Sequence, residues 1–336
     1  MASTLASKPY KEEQIFRHYN SSSAVAYAQN RLSYPDKLID LVISQHVASG
    51  GDTNLLLDIG CGPGTATRSL APHFQRVFGV DPGKSMIETA RMFPSSTKSG
   101  MPVEYVVCSA EEISTIPALE EFSSGQGRLE CVDLITAATA AHWFDLPRFY
   151  GEAAKILKPG GSIIFWASGR FYANPNTTPN AEKVLDLLDK FELEVIGDYE
   201  VKGNQLCREL YASMDLPWVC SGELDPGLKA LLGVFDKDQF VRLEFNKDGH
   251  VEPGETFYRG GRIDFERMRR LLGTGSPITR WREVNKEKLE SGEIEDCVDV
   301  LIKQLKEAME EVPEGKGRDY IDSGSSLVVM VMKKRK

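Results

Sequence analysis

Residues 55–81, LLLDIGCGPGTATRSLAPHFQRVFGVD, constrain the fold more than any other stretch of the chain. A short apolar run is followed by glycines at 60, 62 and 64, then by a helix-patterned segment, and then by a second apolar run that ends on Asp81. That order reads as strand, tight turn, helix, strand. The rhythm continues through VEYVVCS, CVDLITA and SIIFWAS, with KSMIETARMF and LPRFYGEAAKILKP as helical stretches between them. Strands alternating with helices predict an α/β fold with a parallel, doubly wound sheet.

In such a sheet the glycine turn lies beyond the carboxyl end of the first strand, where open parallel sheets bind ligands. Asp81 closes the next strand, near the roughly 20-residue offset at which a carboxylate accepts hydrogen bonds from a ribose diol. An adenosine-containing ligand follows. Dinucleotide loops favour G-x-G-x-x-G, whose last glycine lets helix and strand pack closely beside a pyrophosphate. The register here is G-x-G-x-G, and Thr65 stands where that last glycine would be. Asp58, just before the loop, suits an ammonium group better than a phosphate. S-adenosylmethionine carries an ammonium and no phosphate, so it is the expected donor. A nicotinamide-dependent oxidoreductase and a non-catalytic nucleoside-binding protein remain the alternatives from other classes.

Composition narrows the partners. The 336 residues carry 49 acidic and 40 basic side chains, a formal charge of −9 that argues against nucleic acid as a partner. The six cysteines form no C-x-x-C pair and have no histidine at zinc spacing, so they read as reduced thiols, with no metal implied. No apolar run approaches the ~18 residues of a membrane span, and the amino terminus lacks a signal-like segment, which leads to a cytoplasmic expectation and no membrane partner.

The stretch 55–167 resembles the class I S-adenosylmethionine-dependent methyltransferases. LLDIGCGPGTAT is similar to their first motif, VFGVDPGKSMIETA to the ribose-binding strand and helix, and VVCSAEEI to the adenine-contacting segment. DLITAATAAHWFD and AAKILKPGGSIIFW are similar to the fourth strand, helix and fifth strand. GCGPGTAT, AHWFD and the amino-terminal HYNSSSAVAYAQNRLSYPDKLIDLV resemble the fungal trans-aconitate methyltransferase group most. The resemblance implies a Rossmann-like sheet of about seven strands, the last antiparallel. It also implies a small-molecule acceptor, favouring a carboxylic acid that becomes a methyl ester. The runner-up is an O- or N-methyltransferase acting on a fungal-type secondary metabolite.

Carried over residue by residue, the resemblance assigns Gly60, Gly62 and Gly64 to the methionine part of the donor and Asp81 to the ribose hydroxyls. Asp58 becomes an anchor for the ammonium, directly or through water. Pro82 and Met86 pack on the adenosine, and Ala110 and Glu111 meet the adenine. Tyr19, Tyr27 and Arg31 lie on a segment that folds over the donor, with Arg31 set to pair with the donor carboxylate. His142 is a candidate to orient or deprotonate the acceptor, and Trp143 stands beside it on the pocket wall. Trp218, Arg280 and Trp281 are the expected pocket for a small anionic acceptor.

The expected organisation is an amino-terminal helical lid over 1–50, a donor-binding core over 51–170, and inserted helices forming a cap over 171–320. A returning strand near 239–246 and a final sheet strand at 321–336 complete it. Within the cap, helix-like stretches fall near 181–193, 204–214, 264–272 and 293–311.

Overall fold

The computed structural model describes residues 24–25, 28–29, 33–122, 130–220 and 224–336. Eight strands form one sheet: β1 (Leu55–Ile59), β2 (Arg76–Asp81), β3 (Glu104–Val107), β4 (Val132–Ala138), β5 (Leu157–Ala173), β6 (Phe235–Phe245), β7 (Arg259–Asp264) and β8 (Tyr320–Lys334). Their order is β3-β2-β1-β4-β5-β8-β6, with β7 pairing the beginning of β8. The first five are parallel, and β8 runs antiparallel between β5 and β6. The expected returning strand is β6, and it forms a sheet edge. β7 is a strand the sequence reading did not anticipate.

β1 is buried along its whole length because both faces of the sheet are covered. Alternation divides its side chains between two cores. Leu55, Leu57 and Ile59 pack with Ile135, Phe149 and Phe165 on one face, whereas Leu56 packs with Leu38, Val42 and Trp166 on the other. The helix supplying Leu38 and Val42 is α1 (Asp36–Ala48). Helices α2 (Thr65–Leu70), α3 (Lys84–Arg91) and α4 (Leu146–Ile156) make the early crossovers. No helix among the described residues is long and apolar enough to cross a membrane.

Strand length shapes the ligand end. β5 has 17 residues and β8 has 15, against 5 in β1 and 7 in β4. A register shift between Ser168 and Phe171 marks a bulge, and beyond it β5 continues paired with β8 past the carboxyl edge of the parallel strands. β7 joins the same extension, from Arg259 opposite Ser325 to Asp264 opposite Tyr320. The result is a wall standing above the sheet edge.

Helices α5 (Ala181–Lys190), α6 (Lys202–Arg208), α7 (Pro226–Leu232), α8 (Phe265–Leu272), α9 (Ser276–Val284), α10 (Lys286–Glu290) and α11 (Cys297–Glu310) lie between β5 and β8. Val184, Leu188, Met268, Ile278, Leu301 and Leu305 form a separate apolar core with Ala173 and Ile321 of the strand extension. This second core ties the cap to the wall.

Candidate active site

A cleft of about 660 Å³ opens where the strand order reverses, between the carboxyl ends of β1 and β4. Gly60, Gly62, Asp81, Pro82, Met86, Ala110 and Glu111 line one end, and His142, Trp143 and Phe144 lie at its middle. The strand extension and the inner side of the cap close the other end.

The glycines divide by role. Gly62 has φ +53°, and a Cβ built there meets nothing within 4 Å, so its open side faces the cleft. Gly64 has φ +81° at the start of α2 and is not on the cleft; a Cβ there would stand 2.5 Å from the Tyr105 hydroxyl oxygen and 2.8 Å from Arg68 Nη1. Its place in the motif serves packing of the turn rather than ligand contact.

Asp81 accepts from the Gly62 N–H (2.9 Å) through one carboxylate oxygen and from the Gly83 N–H (2.7 Å) through the other. Those bonds hold the carboxylate at the cleft, where the hydroxyls of a ribose diol can meet it. Asp58, expected to anchor the ammonium directly or through water, is not among the lining residues. It is fully buried and off the cleft wall, and its two oxygens accept from the hydroxyls of Thr67 (2.6 Å) and Thr136 (2.7 Å). Burial pushes its carboxyl up to about 6. Its side chain knits β1 to β4 and α2, off the cleft surface.

Glu111 lines the cleft and also accepts from the Asp145 N–H (2.8 Å), fixing the entry to α4. Met86 is buried and still contributes to the lining, so it serves both core and cleft. Tyr19, Tyr27 and Arg31 lie outside the described residues.

His142 sits on a single helical turn after β4, 8% exposed, with Nδ1 2.7 Å from the Tyr211 hydroxyl and 3.1 Å from Cys207 Sγ. Leu210 and Tyr211 both adopt left-handed backbone, φ +54° and +60°, an energetically costly arrangement for bulky residues that brings this hydroxyl under the imidazole. Burial drives the His142 pKa down to about 3, so the ring is neutral at physiological pH. Trp143 stands beside it with ring centroids 4.5 Å apart and lies against Gly203 of α6, where any Cβ would collide with the indole.

Trp218, Arg280 and Trp281, anticipated as an acceptor pocket, do not line the cleft. Trp218 packs edge-on against Phe240 at 5.3 Å and is off the cleft. Arg280 donates to the Tyr199 carbonyl (2.6 Å) and to Asn204 Oδ1 (3.1 Å), tying α9 to α6, and Trp281 packs on the cap core. Neither Arg280 nor Trp281 reaches the cleft, although their helix presents Ser276, Pro277 and Ile278 to it. In their place stand Arg170, Arg208, Arg259, Arg262 and Arg267, which the sequence reading missed. The RGGR run at 259–262 was the available signal, since paired cations flanking two glycines bring charge close to exposed backbone. Arg259 donates to Ser168 Oγ and lies over the Tyr34 ring at 4.5 Å.

Comparison with known proteins follows the same division. A methyltransferase domain family matches residues 57–165. A protein named as a methyltransferase in Dictyostelium discoideum is 36% identical over 177 residues, covering 53% of this chain and 57% of its own length. The probable S-adenosylmethionine-dependent methyltransferase CRG1 of Saccharomyces cerevisiae is 26% identical over 84% of this chain and 86% of its own. Among solved structures, a methyltransferase from Anaeromyxobacter dehalogenans superposes over 91% of this chain and 97% of its own with a TM-score of 0.53 at 20% identity, a likeness of fold. Residues 57–165 therefore form a methyltransferase domain, on a fold shared with a solved methyltransferase.

Proposed function

We propose that this S-adenosylmethionine-dependent methyltransferase esterifies the carboxylate of a small organic acid. Bound S-adenosylmethionine supplies a sulfonium-activated methyl group, so the acceptor oxygen forms the new C–O bond as the S–CH3 bond breaks, sulfur keeps the electron pair, and no proton moves. The chain's own residues position and desolvate. Asp81 accepts from the ribose hydroxyls, the open side of Gly62 gives the donor room, and Pro82, Met86, Ala110 and Glu111 surround its base. His142 and Trp143 fill the middle of the cleft and exclude water.

The observation that carries the carboxylate is the deeply buried His142 facing a cleft lined by five arginines against two glutamates, Glu192 and Glu200, beside them. An imidazole whose pKa has fallen to about 3 is a poor general base for a phenol or an ammonium ion. A carboxyl group, with a solution pKa of about 4, is already ionised at neutral pH and needs only a cationic surface and a hydrogen-bond donor. In the tautomer whose Nδ1 accepts from the Tyr211 hydroxyl, Nε2–H, 3.6 Å from Cys207 Sγ, is that donor.

The test offers the purified enzyme labelled donor with trans-aconitate, other carboxylic acids, phenols and amines. Label that alkali releases as methanol is expected from acids. Efficient alkali-stable transfer to phenols or amines, with every acid inert, refutes the ester reading and leaves the methyltransferase fold and donor untouched.

A further inference from the structure

The cleft does more than meet the cap; it cuts into the cap's own apolar core. Phe171, Ile196, Ile263, Leu271, Leu272 and Ile278 belong to that core and also line the cleft. They come from β5, from the turn after α5, and from β7, α8 and α9, so five separate segments supply the apolar surface. Phe171, Leu271 and Leu272 are half-buried there, and such side chains gain free energy when an apolar group covers them.

The charges beside this surface are largely spoken for. Arg170 donates to Glu192 (2.7 Å) and Asp189 (2.5 Å), Arg208 lies 2.7 Å from Glu200, and Arg262 lies 3.0 Å from Asp322. Three of the five guanidiniums therefore already face carboxylates. Arg267, at the mouth, has no side-chain partner among the described residues. A polyanion entering here would have to displace those existing ion pairs or sit beside Glu192 and Glu200 at close range. A single carboxylate with an apolar body meets neither obstacle.

Resting on the ester reading above, we propose that the acceptor is an amphipathic monocarboxylic acid whose apolar body lies on the cap core while its carboxylate turns toward His142. Hydrophilic di- and tricarboxylates are then poor substrates, because they leave the apolar wall uncovered and bring surplus negative charge to the cap acids.

The experiment uses the whole chain with labelled donor and butanoate, hexanoate, octanoate and decanoate as a homologous series. Trans-aconitate and citrate serve as polar acids, and 4-hexylphenol and hexylamine as apolar bodies without a carboxyl group. The expected result is a kcat/KM rising about fourfold per methylene until the wall is covered, the factor that follows from burying one CH2. Leu271→Ser is expected to flatten that rise, since it exchanges part of the wall for a hydroxyl. A polyacid turned over better than octanoate, or a flat dependence on chain length, overturns this inference alone and leaves the ester reading in place. Turnover of the phenol or amine with no acid active overturns both.

Discussion

Replacing His142 with glutamine tests the electrostatics of the site centre directly. The imidazole is 8% exposed, and burial is the cause of its fall from 6.5 to about 3. Because the folded-state value lies below the unfolded one, the contribution to stability is fully present above about pH 6.5. It is lost as the pH falls through the interval toward 3. The full shift corresponds to about 5 kcal/mol, and lowering the pH from 7 to 4.5 samples about 3 kcal/mol of it. Other groups titrate over the same range, Asp58 with the opposite sign, so the informative quantity is the difference between wild type and His142→Gln. Urea unfolding followed by circular dichroism should show wild type losing about 3 kcal/mol relative to the variant between those two pH values. If the stability difference is the same at both, the imidazole already binds its proton in the folded state at the lower pH, and the argument that it is too poor a base fails. The kinetic counterpart is a kcat/KM for a carboxylate acceptor with no histidine-like limb between about pH 6 and 8.

Three further outcomes follow from particular contacts. Asp81→Ala removes the side chain this reading assigns to the ribose diol, and calorimetry should show the donor bound about 1.5–3 kcal/mol more weakly, with NAD unbound by either protein. Gly64→Ala should lower the unfolding free energy by about 2–4 kcal/mol, because φ +81° and the Tyr105 hydroxyl at 2.5 Å both oppose a methyl group; an unchanged urea midpoint would mean the turn is looser than its geometry. Arg280→Ala should cost about 1–3 kcal/mol of stability through the lost bonds to Tyr199 and Asn204, while changing KM for acids and neutral acceptors alike; a selective loss of acids would return Arg280 to the acceptor pocket.

The donor half of the cleft was legible because its information is local. Strand period, glycine spacing and the terminal aspartate lie within residues 55–81, and β1, the turn and β2 form from neighbours in the chain. Asp58 shows where local reading stops. Its position before the loop is as expected, but alternation along β1 sends its side chain to the same face as Leu56, and parallel pairing sets it level with Thr136. Two hydroxyls then capture a carboxylate that spacing alone assigns to a ligand.

The acceptor half depends on pairings that no short window contains. RGGRID has two glycines and weak strand propensity, and it becomes β7 only because β8, some sixty residues later, offers a paired edge. That pairing brings Arg259 and Arg262 to the cleft and sets Ile263 into the cap core, so the cations and the apolar wall have one origin. Arg280 fails for the converse reason. Its neighbours Ser276 and Ile278 do face the cleft, and Arg280 stands one turn beyond Ser276 on the same face, but its guanidinium is taken by the Tyr199 carbonyl and by Asn204 of α6, whose amide also donates to Ser276. The lining at that end of the cleft thus follows from how far β5 and β8 overrun the sheet.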